Sequence, residues 1–135
     1  MKNKRILILV LVLAFLFVGC QITPVIFDFF GLWLNVDSIT DSITRVEIWR
    51  IGKTSVYITI RGKCEPVDCF WGVQKTNLDD TIDGSISLVW DHDFAIRNQE
   101  LILLSNGQLK VVTFTHFVDG SGRTDYELTE YFTKE

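Results

Sequence analysis

The sequence predicts an all-β domain, an eight-stranded antiparallel up-and-down barrel, with a two-sheet β-sandwich as the alternative. Three observations predict it. Beyond residue 30 the apolar residues recur with period two, and no stretch carries a helical face. Turn-forming residues punctuate that pattern at short intervals. Every link is too short for a crossover, so neighbouring strands run antiparallel. Eight such strands are the number at which a barrel closes around packed side chains or one small ligand. Closure also removes the unpaired edges on which sheets aggregate.

Strands are expected over 31–36, 43–51, 54–62, 69–76, 84–92, 95–104, 108–118 and 125–133. The third is the cleanest: Val56, Ile58 and Ile60 alternate with Ser55, Tyr57, Thr59 and Arg61. Trp71 and Val73 make a shorter alternation in the fourth, and Ile86, Leu88 and Trp90 alternate with Ser85, Ser87 and Val89 in the fifth. Gly52-Lys53 separates the second strand from the third. Asn106-Gly107 predicts a type I′ hairpin, in which both central residues take positive φ. Asp119-Gly120-Ser121-Gly122 predicts another tight reversal.

The N-terminus reads differently. Lys2, Lys4 and Arg5 precede 13 uninterrupted apolar residues, Ile6 to Val18. A bilayer span needs about 20 apolar residues, whereas a secretory signal core needs about 7–15. The run closes in Leu16-Phe17-Val18-Gly19-Cys20, which resembles the lipobox of bacterial lipoproteins, with Phe17 in place of the usual Leu. That resemblance implies cleavage after residue 19 and a diacylglyceryl group on Cys20, which becomes the mature N-terminus. An uncleaved signal anchor is the alternative, although Pro24 and Asp28 interrupt the apolar character that resumes at Ile22. The expected organisation is therefore a signal peptide over 1–19, a lipidated tether over 20–30 and the barrel over 31–135. The resemblance also implies a location: anchored by acyl chains in the cell envelope, at the outer membrane in a Gram-negative host, where Gln21 rather than Asp follows the cysteine.

Cleavage would remove three basic residues and no acid, leaving 10 basic and 17 acidic side chains and a net charge of −7. Phosphate backbones demand clustered Lys and Arg, so nucleic acid is not an expected partner. Cys64 and Cys69 remain as an even pair in Cys64-Glu65-Pro66-Val67-Asp68-Cys69, which in an exported domain reads as a disulfide. A zinc site would need two further ligands in suitable spacing, and His92 and His116 are far apart in the chain. No metal or other cofactor is expected.

Gly31-Leu32-Trp33 resembles the G-x-W opening of lipocalin- and avidin-type barrels, in which the Trp plugs one end. Together with Leu34-Asn35, the block Gly62 to Gly72 (GKCEPVDCFWG) and the block Phe117 to Tyr126 (FVDGSGRTDY), it resembles a group of small exported bacterial domains of uncharacterised function. That resemblance implies a barrel and no activity.

Candidate sites are of two kinds. The loop Asp119, Ser121, Arg123, Asp125 and Tyr126 is a possible binding surface. It bears a likeness to the Ser-Gly-rich loop that bacterial lysozyme-inhibitor lipoproteins insert into their target. A calcium-loop reading of the same segment fails at Thr124, where the turn needs Gly, and at Arg123, which supplies a cation where an oxygen belongs. Trp33, Trp71 and Trp90 are possible interior contacts for an apolar ligand, or else core filling, as is Trp49. Asp91-His92-Asp93 is expected as a solvated strand end and His116 as a strand histidine with one hydrogen bond. Asp79-Asp80 falls in a polar turn. No nucleophile elbow or phosphate-cradling loop is present, so no enzyme is expected. The expected function is a non-catalytic binding module for a protein or envelope polymer, acting as a monomer, with a small apolar-ligand carrier as the alternative and a lysozyme-inhibitor-like role third.

Overall fold

In the computed structural model, residues 28–81 and 83–135 are described; Cys20 and the signal segment lie outside them. Eight strands form one antiparallel sheet: β1 (Gly31–Asn35), β2 (Ile43–Ile51), β3 (Ser55–Gly62), β4 (Cys69–Asn77), β5 (Ser85–Asp91), β6 (Ala95–Leu103), β7 (Leu109–Phe117) and β8 (Tyr126–Lys134). Their spatial order is β4-β3-β2-β1-β8-β7-β6-β5. The chain therefore runs up and down in sequence, and β1 pairs with β8 to bend the sheet into a nearly closed barrel. The seam lies between β4 and β5, which share no strand ladder among the described residues. Side chains bridge it instead. Gln74 Nε2 donates to the Val89 carbonyl at 2.9 Å, and the Trp71 and Trp90 rings meet edge to face at 6.2 Å.

Alternation decides what fills the barrel. In β3 Val56, Ile58 and Ile60 are buried, and in β5 Ile86, Leu88 and Trp90 are buried while Val89 is exposed. Across β5 to β8 the inward side chains fall into register rows. Trp90, Arg97, Thr115 and Tyr126 form one row, and Leu88, Gln99, Thr113 and Leu128 the next. Ile86, Leu101, Val111 and Glu130 follow, then Leu103, Leu109 and Phe132. The interior is thus polar at one end and apolar at the other.

The apolar end is closed. Trp33 is buried there, its indole N–H donating to the Phe29 carbonyl at 2.8 Å. Phe29, at the end of the expected tether, is itself buried against the core, and Lys134 Nζ donates to the Asp28 carbonyl at 2.6 Å. The opposite end carries the β1–β2, β3–β4, β5–β6 and β7–β8 loops and forms the mouth.

Two local expectations, at Asn106-Gly107 and at Val73, are corrected. Asn106-Gly107 does not form a type I′ turn, because Gly107 has φ +82° and Asn106 is not in the positive-φ region. Leu104 N donates to the Gln108 carbonyl and Gly107 N to that of Leu104, a type I turn closed by a left-handed glycine. Val73 does not alternate inward with Trp71. The β3–β4 register shifts between Ile60 and Arg61, leaving Trp71 as the extra residue of a bulge, so Trp71 turns toward the barrel while Val73 is exposed. A one-turn 3₁₀ helix, Leu78–Thr81, occupies the expected polar turn at Asp79-Asp80, with Thr81 Oγ1 donating to the Leu78 carbonyl.

Candidate functional site: the barrel mouth

The mouth encloses a half-open cavity of about 750 Å³, within the range of small-molecule sites. Trp71, one of the possible interior contacts, lines it. The β4 bulge turns the indole over Gly62, where a Cβ would stand 2.7 Å from its Nε1; the close approach requires glycine. The Cys64–Cys69 disulfide (Cα–Cα 5.4 Å) clamps the hairpin that carries Trp71, and both cysteines line the cavity. On the opposite wall, a tight β5–β6 turn brings in Phe94. Asp93 takes φ +63° there, a conformation that Asp tolerates, and its N–H is held by Asp91 Oδ1.

Arg97 projects between these walls. Its guanidinium lies 4.9 Å from the Trp71 ring centroid and 5.2 Å from that of Phe94. One N–H contacts His92 Nδ1, and Tyr126 lines the same cavity. Arginine only donates, so His92 Nδ1 is the bare nitrogen and Nε2 carries the proton. Burial lowers the pKa of His92 below 6.5, and Arg97 lowers it further. The Trp71 carbonyl and Asp91 and Asp93 pull the other way. The ring is therefore neutral at pH 7. Burial also lowers the pKa of Arg97, opposed by Tyr126 and reinforced by Arg123. Among the described residues no carboxylate lies within ion-pair distance of Arg97.

Below Arg97, Thr115 is fully buried and its Oγ1 makes no hydrogen bond. Leaving a buried hydroxyl unmet costs about 1–3 kcal/mol. Deeper still, Gln99 accepts from Trp90 Nε1 at 2.8 Å and donates to Thr113 Oγ1 at 2.9 Å, which closes the floor. Glu130 is buried beside it. Its carboxylate accepts from Asn35 Nδ2, Thr40 Oγ1 and Ser42 Oγ, tying the β1–β2 loop to β8. Burial raises its pKa against those hydrogen bonds.

The predicted site residues divide. Trp71 and Tyr126 line the cavity, Trp90 is buried at its floor, and Trp33 lies at the closed end. Trp49 stacks on Tyr57 at 6.2 Å, and Lys75 approaches the Tyr57 ring. In the β7–β8 loop Arg123 pairs with Asp119 at 2.5 Å, donates from Nε to Ser121 Oγ at 2.9 Å and packs 4.0 Å from the Phe117 ring centroid. Asp119 titrates at about 2, chiefly because Ser121 hydrogen-bonds its carboxylate, with Arg123 assisting. Asp125 accepts from the Phe117 N–H and meets His116 Nδ1 at 2.6 Å, the one side-chain partner expected for that histidine. His92 is no solvated strand tip. Asp91 and Asp93 are exposed, but the histidine is half-buried among Trp71, Trp90 and Phe94.

No family model, no curated protein and no solved structure matches the chain. The site is read from its own chemistry. Among the described residues no group of three His, Cys, Asp or Glu side chains is placed to hold a metal ion.

Sequence reasoning missed Arg97, Thr115, Gln99 and Glu130. A signal for Arg97 and Gln99 was present: counting back in steps of two from Leu103 and Leu101 puts both on the inward face of β6.

Proposed function

We propose that this protein is a non-catalytic binding protein of the bacterial cell envelope that holds a small ligand in the mouth of its barrel. The observation that carries this reading is the cavity, lined by Trp71, Phe94 and Tyr126 and containing a guanidinium with no acidic partner among the described residues and a buried hydroxyl, Thr115 Oγ1, that makes no hydrogen bond. A barrel end built only for stability would fill this volume with apolar side chains. The ligand-carrier alternative is therefore favoured over recognition by the rim. The polar groups of the β7–β8 loop are largely spent on one another, in the Arg123–Asp119 and Asp125–His116 pairs. Rim recognition of a protein or polymer, including a lysozyme-inhibitor-like role, keeps one support: residues 118–129 are exposed throughout.

The lipobox resemblance supplies the location. The described chain begins at the closed end, where Asp28 meets Lys134. An acyl anchor at Cys20 would hold that end toward the membrane and direct the mouth away from it. Two or three acyl chains suffice for such an anchor, each buried methylene contributing about 0.8 kcal/mol.

Protein-observed NMR with a fragment library tests the reading. Binders are expected to shift the Trp71 indole N–H and the Tyr126 ring while leaving Trp49, on the outer surface, unmoved. A library in which no compound moves Trp71 or Tyr126 would overturn it.

A further inference from the structure

We propose that the mouth takes a singly charged carboxylate carried on an apolar body, the carboxylate held by Arg97 and Thr115. This rests on the reading of the mouth as a ligand site and deepens it to a ligand class. Arg97 is half-buried and has no acidic partner among the described residues. His92 engages one of its five N–H donors, which leaves others for a ligand. A planar guanidinium fork matches the two oxygens of a carboxylate. Stacking between Trp71 and Phe94 holds that fork in one plane, so little side-chain entropy remains to be lost on binding.

Thr115 is the register partner of Arg97 on β7, and its buried Oγ1 is without a hydrogen bond. A hydroxyl in that place can donate to an anion oxygen and relieve its own isolation. One negative charge fits better than two. Lys63, the other cation on the cavity wall, is paired with Glu65 at 3.2 Å, Arg123 is neutralised by Asp119, the neighbouring His92 is neutral, and Asp37 and Asp41 stand on the facing loop. Trp71, Phe94, Tyr126 and Leu128 supply the wall for an apolar body.

The test is calorimetric titration of the full chain, held in lipid nanodiscs with empty nanodiscs as blank, against 4-phenylbutyrate and its uncharged amide at neutral pH. The carboxylate is expected to bind at least about ten-fold more tightly than the amide, the discrimination typical of a charge-assisted hydrogen bond. Arg97→Gln should abolish that preference, the carboxylate losing more affinity than the amide. Thr115→Val, which keeps the shape of the side chain, should weaken the carboxylate more than the amide; circular dichroism establishes that each variant is folded. Equal affinities in the wild type, or a preference that survives in folded Arg97→Gln, would overturn the anion site and leave the ligand reading standing. Failure of both compounds to bind at millimolar concentration would overturn the two together. Should Arg97→Gln not fold, Thr115→Val and Arg97→Lys decide the matter, because a preference unchanged in both contradicts the proposal.

Discussion

Replacing Gln99 with Leu removes the polar floor of the mouth while keeping its approximate volume. Gln99 is 3% exposed and bridges two strands, accepting from Trp90 Nε1 on β5 and donating to Thr113 Oγ1 on β7. The substitution leaves the Trp90 indole N–H, 2% exposed, without an acceptor, and orphaning a buried donor costs about 1–3 kcal/mol. Thr113 loses an incoming bond but keeps a rotatable hydroxyl, and the added methyl surface offsets part of the loss. A net destabilisation of about 2 kcal/mol is expected. Trp90→Phe should cost about 2 kcal/mol on its own, from lost volume in the core and an unmet Gln99 oxygen. In the double variant neither orphan exists, so its cost should fall short of the sum by about 1–2 kcal/mol. Urea unfolding followed by far-UV circular dichroism measures this without relying on tryptophan emission, provided that the four proteins share one m-value. Additivity to within about 0.5 kcal/mol would refute the claim that the two side chains are energetically one unit.

Other perturbations test other parts of the account. Converting Cys64 and Cys69 together to Ser opens a short loop and should cost about 2 kcal/mol, read as a lower urea midpoint, and should broaden the Trp71 indole signal in NMR. His92 should titrate below 6.5 by NMR, and Arg97→Gln should move it only part of the way back, because burial is the larger cause. Its depressed pKa contributes stability above pH 6.5 that is lost as pH falls through the folded value. Glu130 runs the other way. Its pKa is raised in the fold, so its contribution is greatest below the ordinary value of 4.5 and is lost as pH rises through the folded value. Glu130→Gln should therefore flatten the pH dependence of the thermal midpoint between acid and neutral pH. An unchanged slope would show that the buried carboxylate is not its source.

Much of this fold was legible from alternation and turn chemistry. The eight strands lie within one or two residues of their expected ends, because inward Val, Ile, Leu and Trp must alternate with outward polar residues. The Cys64–Cys69 disulfide, expected of an even pair of cysteines, is present. What stayed hidden depends on strands meeting across the barrel. A bulge adds one residue to β4 and reverses the parity that Trp71 and Val73 would otherwise share. The neighbours of His92 come from β4 and β6, so a sequence reading that places it at a strand tip assigns it to water. Glu130 follows a stretch of β8 that is exposed over residues 126–129, and its burial is sustained by Asn35, Thr40 and Ser42 from the far end of the chain. Asn106-Gly107 carries a hairpin signal that serves two turn types, and the three-residue loop from Ser105 selects the second.

The most direct test of a ligand-holding mouth is native mass spectrometry of the full chain taken from the membranes of an exporting host, wild type beside Arg97→Gln. The account predicts a discrete mass excess on the wild type beyond polypeptide and acyl groups, lost on denaturation and less occupied in the variant. A wild-type spectrum with no such excess, identical to that of the variant under conditions that preserve known carrier complexes, would contradict it.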